Sequence, residues 1–540
     1  MMYTFKEFFI KTGGALVCFT SFSLAVHAQK DVQEDFQITE HLQSVPLEAN
    51  SAFLPCESVD KVSYLELGGE KSFGNFINYY QSDNSLKYHL MTKSYFRLNP
   101  KLVLYGSMEY TRFTGQHMGT SALIDPLHAP FDIIEMNDTY RGRKQMETYR
   151  LQGAAGYRLT RTVSLGGRLD YLAANYAKHK DLRHKNTLMD MQVSLGVSWS
   201  PLPAFSAGVS YTYHRRNEAL SFDTYGNTDV QYYSLISFGS FYGRQETFGE
   251  SGFTSNSVSK HPPLFSLEHQ GAVQVLWKRS GEFSLFNELG MSSFSGRFGT
   301  DESARITFTR HDGHTFTYGS KLVWSISGIR HVAELAMKSS KLINYENAYK
   351  ESTDEANVTQ IVYYGSNEVL RRKELEAKAG YTIYIGNEKK RPVWITDIET
   401  SLFYRDSRTV VYPYYRNQHL YSFRLQTDVN RNIFHRSGIY TLGVHLGYGQ
   451  GGGTAYADGV YATSENNQLG PDSRNDLLMQ EFEFLTSPQL QVGIAAGYER
   501  GISDKISVYL HASYLHTRAF KIAFNGTHFN GIKLTLGCRF

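Results

Sequence analysis

The chain has 540 residues, a formal net charge of +3, 38 Tyr and 34 Phe, but only 13 Pro and 3 Cys. This composition excludes a Pro-rich disordered chain, a collagen and a small disulfide-stapled domain. The near-neutral charge leaves no electrostatic footprint for nucleic acid, so we expect no nucleic-acid partner. A mean hydropathy of −0.38 argues against a bundle of membrane helices.

The first 28 residues have the pattern of a signal peptide. Lys6 and Lys11 form a basic region, and the apolar run 15–26 that follows is too short to span a bilayer. The small residue Ala28 provides a cleavage site. We therefore expect residues 1–28 to direct export and to be removed.

Residues 29–60 are polar, with one short apolar patch at residues 52–55. We interpret them as a periplasmic N-terminal extension that forms a disordered tail, because so little apolar surface cannot offset the entropy of ordering. The alternative is a small hatch that enters the mouth of the barrel predicted below, as in channels for hydrophobic substrates. The segment is too short for the plug domain of a TonB-dependent transporter, which would also need about 22 strands.

The remainder of the chain alternates apolar and polar residues with a period of two, which predicts β-strands. The clearest examples are residues 163–171, 190–199, 205–214 and 440–448. Their polar faces carry Gly, Ser, Arg and Asp, and Tyr residues such as Tyr440 and Tyr448 stand at the ends of the apolar faces. An apolar band framed by aromatic residues, opposite a polar face, is typical of a transmembrane β-barrel.

The connections alternate between short and long, as such barrels require. The short turns are predicted at 99–100, 160–161, 200–203, 280–281, 327–328, 389–391, 436–437 and 503–504, and the long polar stretches at 114–143, 219–262, 344–370 and 451–476. With an initial strand from Phe73 and a final strand to Phe540, we predict about 18 strands, with 16 as the alternative. Segments 303–325 and 477–501 are each long enough for one strand or a hairpin. The predicted fold is all-β: a single transmembrane antiparallel barrel over residues 61–540, with long extracellular loops.

The last strand is the most specific local signal. Ile532, Leu534, Leu536 and Cys538 alternate with polar residues and Gly, and the chain ends in Phe540. A terminal Phe after an alternating strand is similar to the signal that the outer-membrane barrel assembly machinery recognises. We therefore expect Phe540 to be an assembly signal and this machinery to be a partner.

Two segments carry a resemblance to a known family. The run 180–187, followed by Asp190 and Gly196, and the run 149–151, followed by Gly153, Gly156, Tyr157 and Gly166, resemble a motif of a Bacteroidota family of outer-membrane β-barrels of unknown function. This chain has Leu182 and Lys185 where the family motif tends to have Pro. The resemblance implies the fold and the location over the whole mature chain, and it brings no catalytic or ligand residues.

Two sets of residues are candidates for a functional role. By strand parity we expect the lumen to be lined by Arg150, Arg158, Arg168, Asp170, Asp190, Gln192 and Glu268. Aromatic residues of the long loops are candidates for ligand or partner contacts: Tyr225, Tyr232, Tyr233, Phe238, Phe241 and Tyr242. The alternative for the loops is a self-packed cap over the barrel, to which Phe131, Ile133 and Ile134 of the loop 114–143 would contribute by folding inward.

We predict no catalytic site, no cofactor and no metal site, and therefore no enzyme. His311 and His314 point to opposite faces if they lie on a strand, and Asp312-Gly313 between them matches a hairpin turn. The Gly-x-Gly-x-x-Gly run that starts at Gly447 leads into a loop rather than a helix, so it is not a dinucleotide site.

The sequence therefore predicts a protein of the bacterial cell outer membrane that acts as a channel or an accessory component of nutrient or solute uptake. The alternatives are a non-conducting barrel that binds partners through its aromatic loops and, third, an outer-membrane hydrolase. The expected partners are membrane lipid, lipopolysaccharide near the basic loop 178–185, and a neighbouring transporter or surface lipoprotein.

Overall fold

The computed structural model describes residues 35–540 apart from 58–60, 226–228, 250–251, 256–261, 280–281, 301–304, 354–358, 389–390, 462–469 and 504. The signal peptide predicted at residues 1–28 lies outside the described residues. Eighteen antiparallel strands form a closed barrel in which each strand pairs with its neighbours along the chain. This confirms the predicted all-β barrel and its strand number. No helix within the described ranges has the length and apolar character needed to cross a membrane.

The strands are numbered in chain order, and four short ones lie outside the wall. The wall strands are β1 (Lys61–Gly74), β2 (Asn84–Asn99), β3 (Leu102–Met118), β5 (Gly142–Arg158), β6 (Val163–Lys178), β7 (Arg183–Leu202), β8 (Phe205–Asp223), β11 (Pro263–Arg279), β12 (Phe283–Gly299), β13 (Thr307–Ile326), β14 (Ile329–Thr353), β15 (Thr359–Ile385), β16 (Trp394–Val411), β17 (Tyr414–His435), β18 (Gly438–Val460), β20 (Gln489–Ser503), β21 (Ile506–Ala519) and β22 (His528–Arg539). The other four are β4 (Asp132–Glu135), β9 (Tyr233–Gly239), β10 (Tyr242–Thr247) and β19 (Asp472–Ser473).

The barrel closes where the first and last strands pair, from Tyr64 opposite Arg539 to Gly74 opposite Phe529. Phe540 extends this seam, because its backbone N–H and C=O both bond to Ser63 at 3.0 Å. Closure leaves no strand edge in the wall, which is the only way in which a sheet can satisfy its backbone groups in hydrocarbon.

The outer surface of the wall carries an apolar belt. Along β18, Leu442, Val444 and Leu446 are more than half exposed, and Tyr440 and Tyr448 frame them. A soluble protein does not expose a continuous apolar band of this kind, whereas lipid covers it. The alternating apolar and polar side chains that predicted the strands therefore face the lipid and the lumen in turn.

The N-terminal segment is folded inside the barrel, so the expectation of a disordered tail is wrong. Helix α1 (Phe36–His41) and a 3-10 turn (Ser51–Cys56) bury Phe36, Phe53 and Leu54 against wall residues. We call residues 35–57 the plug. The apolar surface that the segment lacks by itself is supplied by the inner face of the wall.

The long loops fold over the other end as a compact cap. We define the cap as the sheet β19-β10-β9-β4, helix α2 (Asn475–Thr486), the turn Gly252–Thr254 and the stretch 119–131. Its apolar core includes Phe131, Ile133 and Phe253 and continues into wall residues such as Phe298. The loop 114–143 therefore does fold inward.

Several predicted boundaries are wrong. The first strand ends rather than begins near Phe73, and segment 477–501 holds most of α2 followed by β20. Segment 344–370 is largely an extension of β14 and β15 rather than a loop, and β18 extends through the first ten residues of segment 451–476. Asp312 and Gly313 lie inside β13, paired with Ile343 and Leu342, and not in a hairpin turn. Segment 303–325 contributes to a single strand. In these regions the paired strands continue above the apolar belt, with β-bulges that shift the register of β14 against β15 and of β17 against β18.

Candidate functional site: the plugged lumen

A buried ion-pair network fixes the start of the plug to the wall. Asp35 lies 2.8 Å from Arg539 on β22 and 3.8 Å from Arg391 in the β15–β16 turn, and both arginines also contact Glu499 on β20. Asp35 Oδ1 also accepts from the backbone N–H of Gln37 at 2.9 Å and so caps α1. Burial raises the pKa of Asp35, but the two guanidinium groups and these backbone bonds bring it below its usual value. We call Asp35, Arg391, Glu499 and Arg539 the latch.

Helix α1 crosses the lumen between opposite sides of the wall. Glu40 pairs with Lys93 on β2 at 3.4 Å, and His41 bonds to Tyr384 on β15 at 2.6 Å and to Glu334 on β14 at 3.3 Å. These wall contacts are polar, so water can replace them when the helix leaves.

The second half of the plug binds a different part of the wall, which includes β5, β11 and β12. Asn50 Nδ2 donates to Gln274 on β11 at 3.0 Å, while its Oδ1 accepts from Ala52 N at 2.9 Å. Phe53 packs edge-on against Phe286 of β12, and Arg158 of β5 donates to Pro55 O at 2.6 Å. Contacts around the circumference show that the plug fills the short-turn end of the barrel.

Buried polar side chains of the wall hold the cap. Glu218 on β8 accepts from Ile124 N at 3.0 Å and from Asn186 at 2.6 Å, and Asn344 on β14 donates to Pro130 O at 3.0 Å. A buried polar group without a partner is costly, so these pairings fix one position of the stretch 119–131.

Two arginines anchor the rest of the cap. Arg405 on β16 binds Glu374 of β15 at 2.9 Å and Glu481 of α2 at 3.1 Å. Arg416 on β17 donates to Ser240 O and Asn475 and contacts the ring of Tyr242. The long-loop end is therefore closed by a structure bonded into the wall.

Most of the aromatic residues predicted for loop contacts are inside this cap. Phe238, Phe241 and Tyr242 are buried, and Tyr232 packs against the core of the cap. Only Tyr225 and Tyr233 remain exposed, and Tyr225 stacks on Arg183. For these residues the structure has the alternative of a self-packed cap, because the loops bury most of their aromatic side chains on one another and on the wall.

The predicted lumen residues lie on inward positions of β5, β6, β7 and β11, where several of them pair. Arg150 and Gln152 both bind Asp170, at 2.6 and 2.7 Å. Arg158 binds the plug, as described above, and Arg168 faces a cavity beside the plug. Gln192 lies opposite Asp170 in the β6–β7 register. Strand parity identified the face of each residue but could not identify its partner.

Asp190 and Glu268 hold His214 between them. His214 Nε2 lies 2.8 Å from Asp190, and Nδ1 lies 3.1 Å from Glu268. Each ring nitrogen is hydrogen-bonded to a carboxylate, so neither is available to activate a nucleophile. The cluster stiffens the wall midway between plug and cap.

A polar chamber separates the plug from the cap. Lys338 and Lys378 are exposed on the lumen side, and an added Cβ at Gly319, Gly380 or Gly531 would meet no atom within 4 Å. An open interior is expected for a barrel of this strand number. The plug and the cap therefore stand at the two ends of a lumen whose middle is not filled.

The cap contains a carboxyl group that makes its stability depend on pH. Burial raises the pKa of Asp132 to about 7, even though Ser121, Ile133 N and Tyr79 donate to it. The unfolded carboxyl loses its proton near pH 4, whereas the folded one keeps it to about pH 7. The contribution of Asp132 to cap stability should therefore fall as pH rises from about 4 to 7 and then level off.

The Asp132→Asn variant should lack this part of the pH dependence. The measurement is the rate of proteolysis within β4 and β9 at about pH 5 and about pH 8, for wild type relative to the variant. A ratio that does not change with pH would contradict the assignment to Asp132.

Comparison with known proteins identifies the family. The profile of a family of unknown function, DUF6850, matches residues 51–540. The chain belongs to the DUF6850 family. This confirms the predicted membership in a barrel family of unknown function, whereas a Bacteroidota origin stays a prediction. No curated protein matches this DUF6850 chain.

Solved structures are similar to the DUF6850 barrel at low identity. The alcaligin outer-membrane receptor FauA from Bordetella pertussis has 9% identity and a TM-score of 0.42, over 89% of this chain and 76% of its own. The ferric preacinetobactin receptor BauA from Acinetobacter baumannii has 8% identity and a TM-score of 0.36, over 88% and 80%. A mutant of the monoaromatic hydrocarbon channel TodX has 9% identity and a TM-score of 0.33, over 94% and 99%.

Proposed function

We propose that this protein is an outer-membrane channel for the uptake of small polar solutes, closed at rest by the plug and the cap. The observation that supports this best is the polar chamber between two folded closures. A barrel that served only as a scaffold would need neither a wide interior nor a segment dedicated to closing it. The lipid-facing belt and the sequence of residues 1–28 support the outer membrane as its location.

The plug is the closure best suited to move. It precedes β1 as one continuous segment, and it binds the wall through ion pairs and hydrogen bonds as well as through the buried side chains of Phe36, Phe53 and Leu54. The cap, in contrast, is built from three separate loops around two apolar clusters. Opening the short-turn end requires one continuous segment to leave, whereas opening the other end requires three loops to separate.

The test compares three proteins in planar bilayers and in solute-loaded liposomes. The full mature protein should show small, intermittent conductance and slow flux of a small polar solute. A variant that lacks residues 29–57 should show larger steps and faster flux. A variant that lacks only residues 29–34 is the control and should behave as wild type, because it keeps Asp35 and the rest of the plug.

The proposal fails if neither the full protein nor the variant without residues 29–57 conducts or passes solute while the barrel remains intact in gel-shift and circular-dichroism assays. That result would favour a non-conducting barrel that binds partners. One feature supports this second candidate: the β14–β15 hairpin extends beyond β13 and β16 and exposes Val362, Tyr363 and Tyr364.

We further propose that the protein is not an enzyme, because His214 is held by two carboxylates.

The proposed partners are lipopolysaccharide at the outer loops, the barrel assembly machinery at Phe540, and a neighbouring transporter or surface lipoprotein. Of the loop 178–185, Lys178 and His184 are buried, whereas Lys180 and Lys185 are exposed. Only the exposed lysines are therefore available to lipopolysaccharide phosphates.

A further inference from the structure

A cavity of about 210 Å³ lies inside the barrel, directly beneath the cap. The stretch 125–130 forms its roof, and inward residues of β8 and of β11 to β15 form its sides. At roughly 30 Å³ per water molecule, the space equals about seven waters. It is large enough for a small organic molecule but not for a peptide or an oligosaccharide.

The carboxylates that line this cavity already accept short hydrogen bonds. Glu268 is bonded to His214 at 3.1 Å and to Ser292 at 2.5 Å. Glu374 accepts from Arg405 at 2.9 Å, and Asp125 is bonded to His128 at 3.0 Å. Glu218 is bonded to the cap, as described above. The negative groups therefore have partners before any ligand arrives.

Two of the cations that line the same cavity form only long ion pairs, and the third forms none among the described residues. Arg216 approaches Asp190 and Glu218 only to 3.6 and 3.9 Å, and Arg372 Nε lies 3.6 Å from Glu374. The Lys338 ammonium makes no hydrogen bond or ion pair within the described part of the chain. Arg372 Nε is buried, which makes the missing hydrogen bond costly.

His311 shows the same deficit. Its side chain lies on the cavity wall and is only 5% exposed. Its Nδ1 has no hydrogen-bond partner within the described ranges. A neutral imidazole can offer this nitrogen as a donor. Three cations and one imidazole thus line a cavity whose four carboxylates already have partners.

We propose that this cavity binds a small organic anion, a carboxylate or phosphate group on a skeleton of monosaccharide size, through Arg216, Lys338 and Arg372. Guanidinium groups suit planar or tetrahedral oxyanions, and Lys338 adds a mobile charge. Leu264, Phe294 and Leu342 line the same cavity and provide apolar surface for the carbon skeleton. This inference rests on the proposed function, since the bound anion would be the transported solute.

The test is isothermal titration calorimetry on the full mature protein in detergent. The probes are gluconate for a carboxylate, glucose 6-phosphate for a phosphate, and glucose as the neutral control. We expect saturable binding of at least one anion and no binding of glucose. The Lys338→Gln and Arg372→Gln variants should each bind that anion at least about tenfold more weakly.

Lys341→Gln is the matched control, because Lys341 lies on the same strand but on the opposite face of the wall. It should leave the affinity unchanged. Lys338 is exposed, so its variant should fold, and circular dichroism checks this. Absence of saturable anion binding to wild type, equal binding of glucose, or equal affinity of the Lys338 and Lys341 variants overturns the site.

The two proposals fail separately. Anion binding without conductance or flux would keep the site and reject the channel. Flux through the barrel without anion binding would keep the channel and reject the site. The relative affinities of gluconate and glucose 6-phosphate identify which anionic group the cavity prefers.

Discussion

Replacing Arg405 with Met should loosen the cap from the wall, with an expected loss of about 3–5 kcal/mol in the free energy of local unfolding. Arg405 is the only residue that hydrogen-bonds the Glu481 carboxylate within the described chain, and it also binds Glu374. Both carboxylates are almost wholly buried. Without the guanidinium group, two buried carboxylates would face each other with little compensation.

The measurement is hydrogen exchange of the backbone amides of α2 in wild type and variant. Arg408→Met is the control, because Arg408 lies on the same strand, is exposed, and bonds to Asn417 at 2.9 Å. Its variant should change the exchange free energy by less than about 0.5 kcal/mol. Equal exchange in the Arg405 and Arg408 variants would show that the cap does not depend on this ion pair.

Replacing Asp35 with Ala should release the plug. The substitution removes the helix cap of α1, worth about 1 kcal/mol, and takes from Arg391 and Arg539 a carboxylate that both of them contact. Breaking a buried ion pair costs about 3–5 kcal/mol. We therefore expect residues 36–57 to exchange their amide protons and to be cleaved by protease much faster than in wild type, and the open periods in planar bilayers to lengthen.

Asp35→Asn separates the two roles. Asn is as good a helix cap as Asp but carries no charge, so this variant should keep α1 and lose only the attraction to the arginines. If the Asp35→Asn variant releases the plug as much as Asp35→Ala does, the release is caused by the lost charge in the latch and not by the lost helix cap. Wild-type protection of residues 36–57 in both variants would show that the polar contacts of Asn50 and Arg158 are sufficient.

The wall was predictable because alternation is a local property. Residues such as Leu442 and Val444 face lipid whatever the rest of the chain does, and the short turns interrupt the pattern at regular intervals. The strand number follows from these turns. The ends of β14, β15 and β18 were not predictable, because above the belt no lipid imposes an alternation.

The plug and the cap were not predictable as folded units, because their buried surfaces are completed by the wall. Phe53 lies in a short apolar patch that is too small to form a core, and its ring is buried against Leu276 and Phe286 of the wall. Phe238 and Phe241 occupy a glycine- and serine-rich loop, which equally suits an exposed binding surface. Only the positions of β8 and β12 in space show that these rings have a core to enter.

The anion cavity was equally hidden, for a different reason. Parity placed Glu268 in the lumen, but Arg216, Lys338 and Arg372 come from strands far apart in sequence. Their significance depends on which hydrogen bonds are absent, and a sequence does not show that. The sequence contained part of the evidence for this cavity. Arg216 and Arg372 stand at inward positions of long strands, where a charge is costly unless another group pairs with it.

The latch also constrains the order of events during assembly. Asp35 precedes the first strand, whereas Arg539 is the penultimate residue of the chain and lies on the strand that completes the seam. The contact between them can form only after β22 has joined β1, so the plug reaches its final position after the wall has closed. A barrel stalled before that last pairing would keep an unlatched N-terminus, and cleavage of this segment would report how far insertion has advanced.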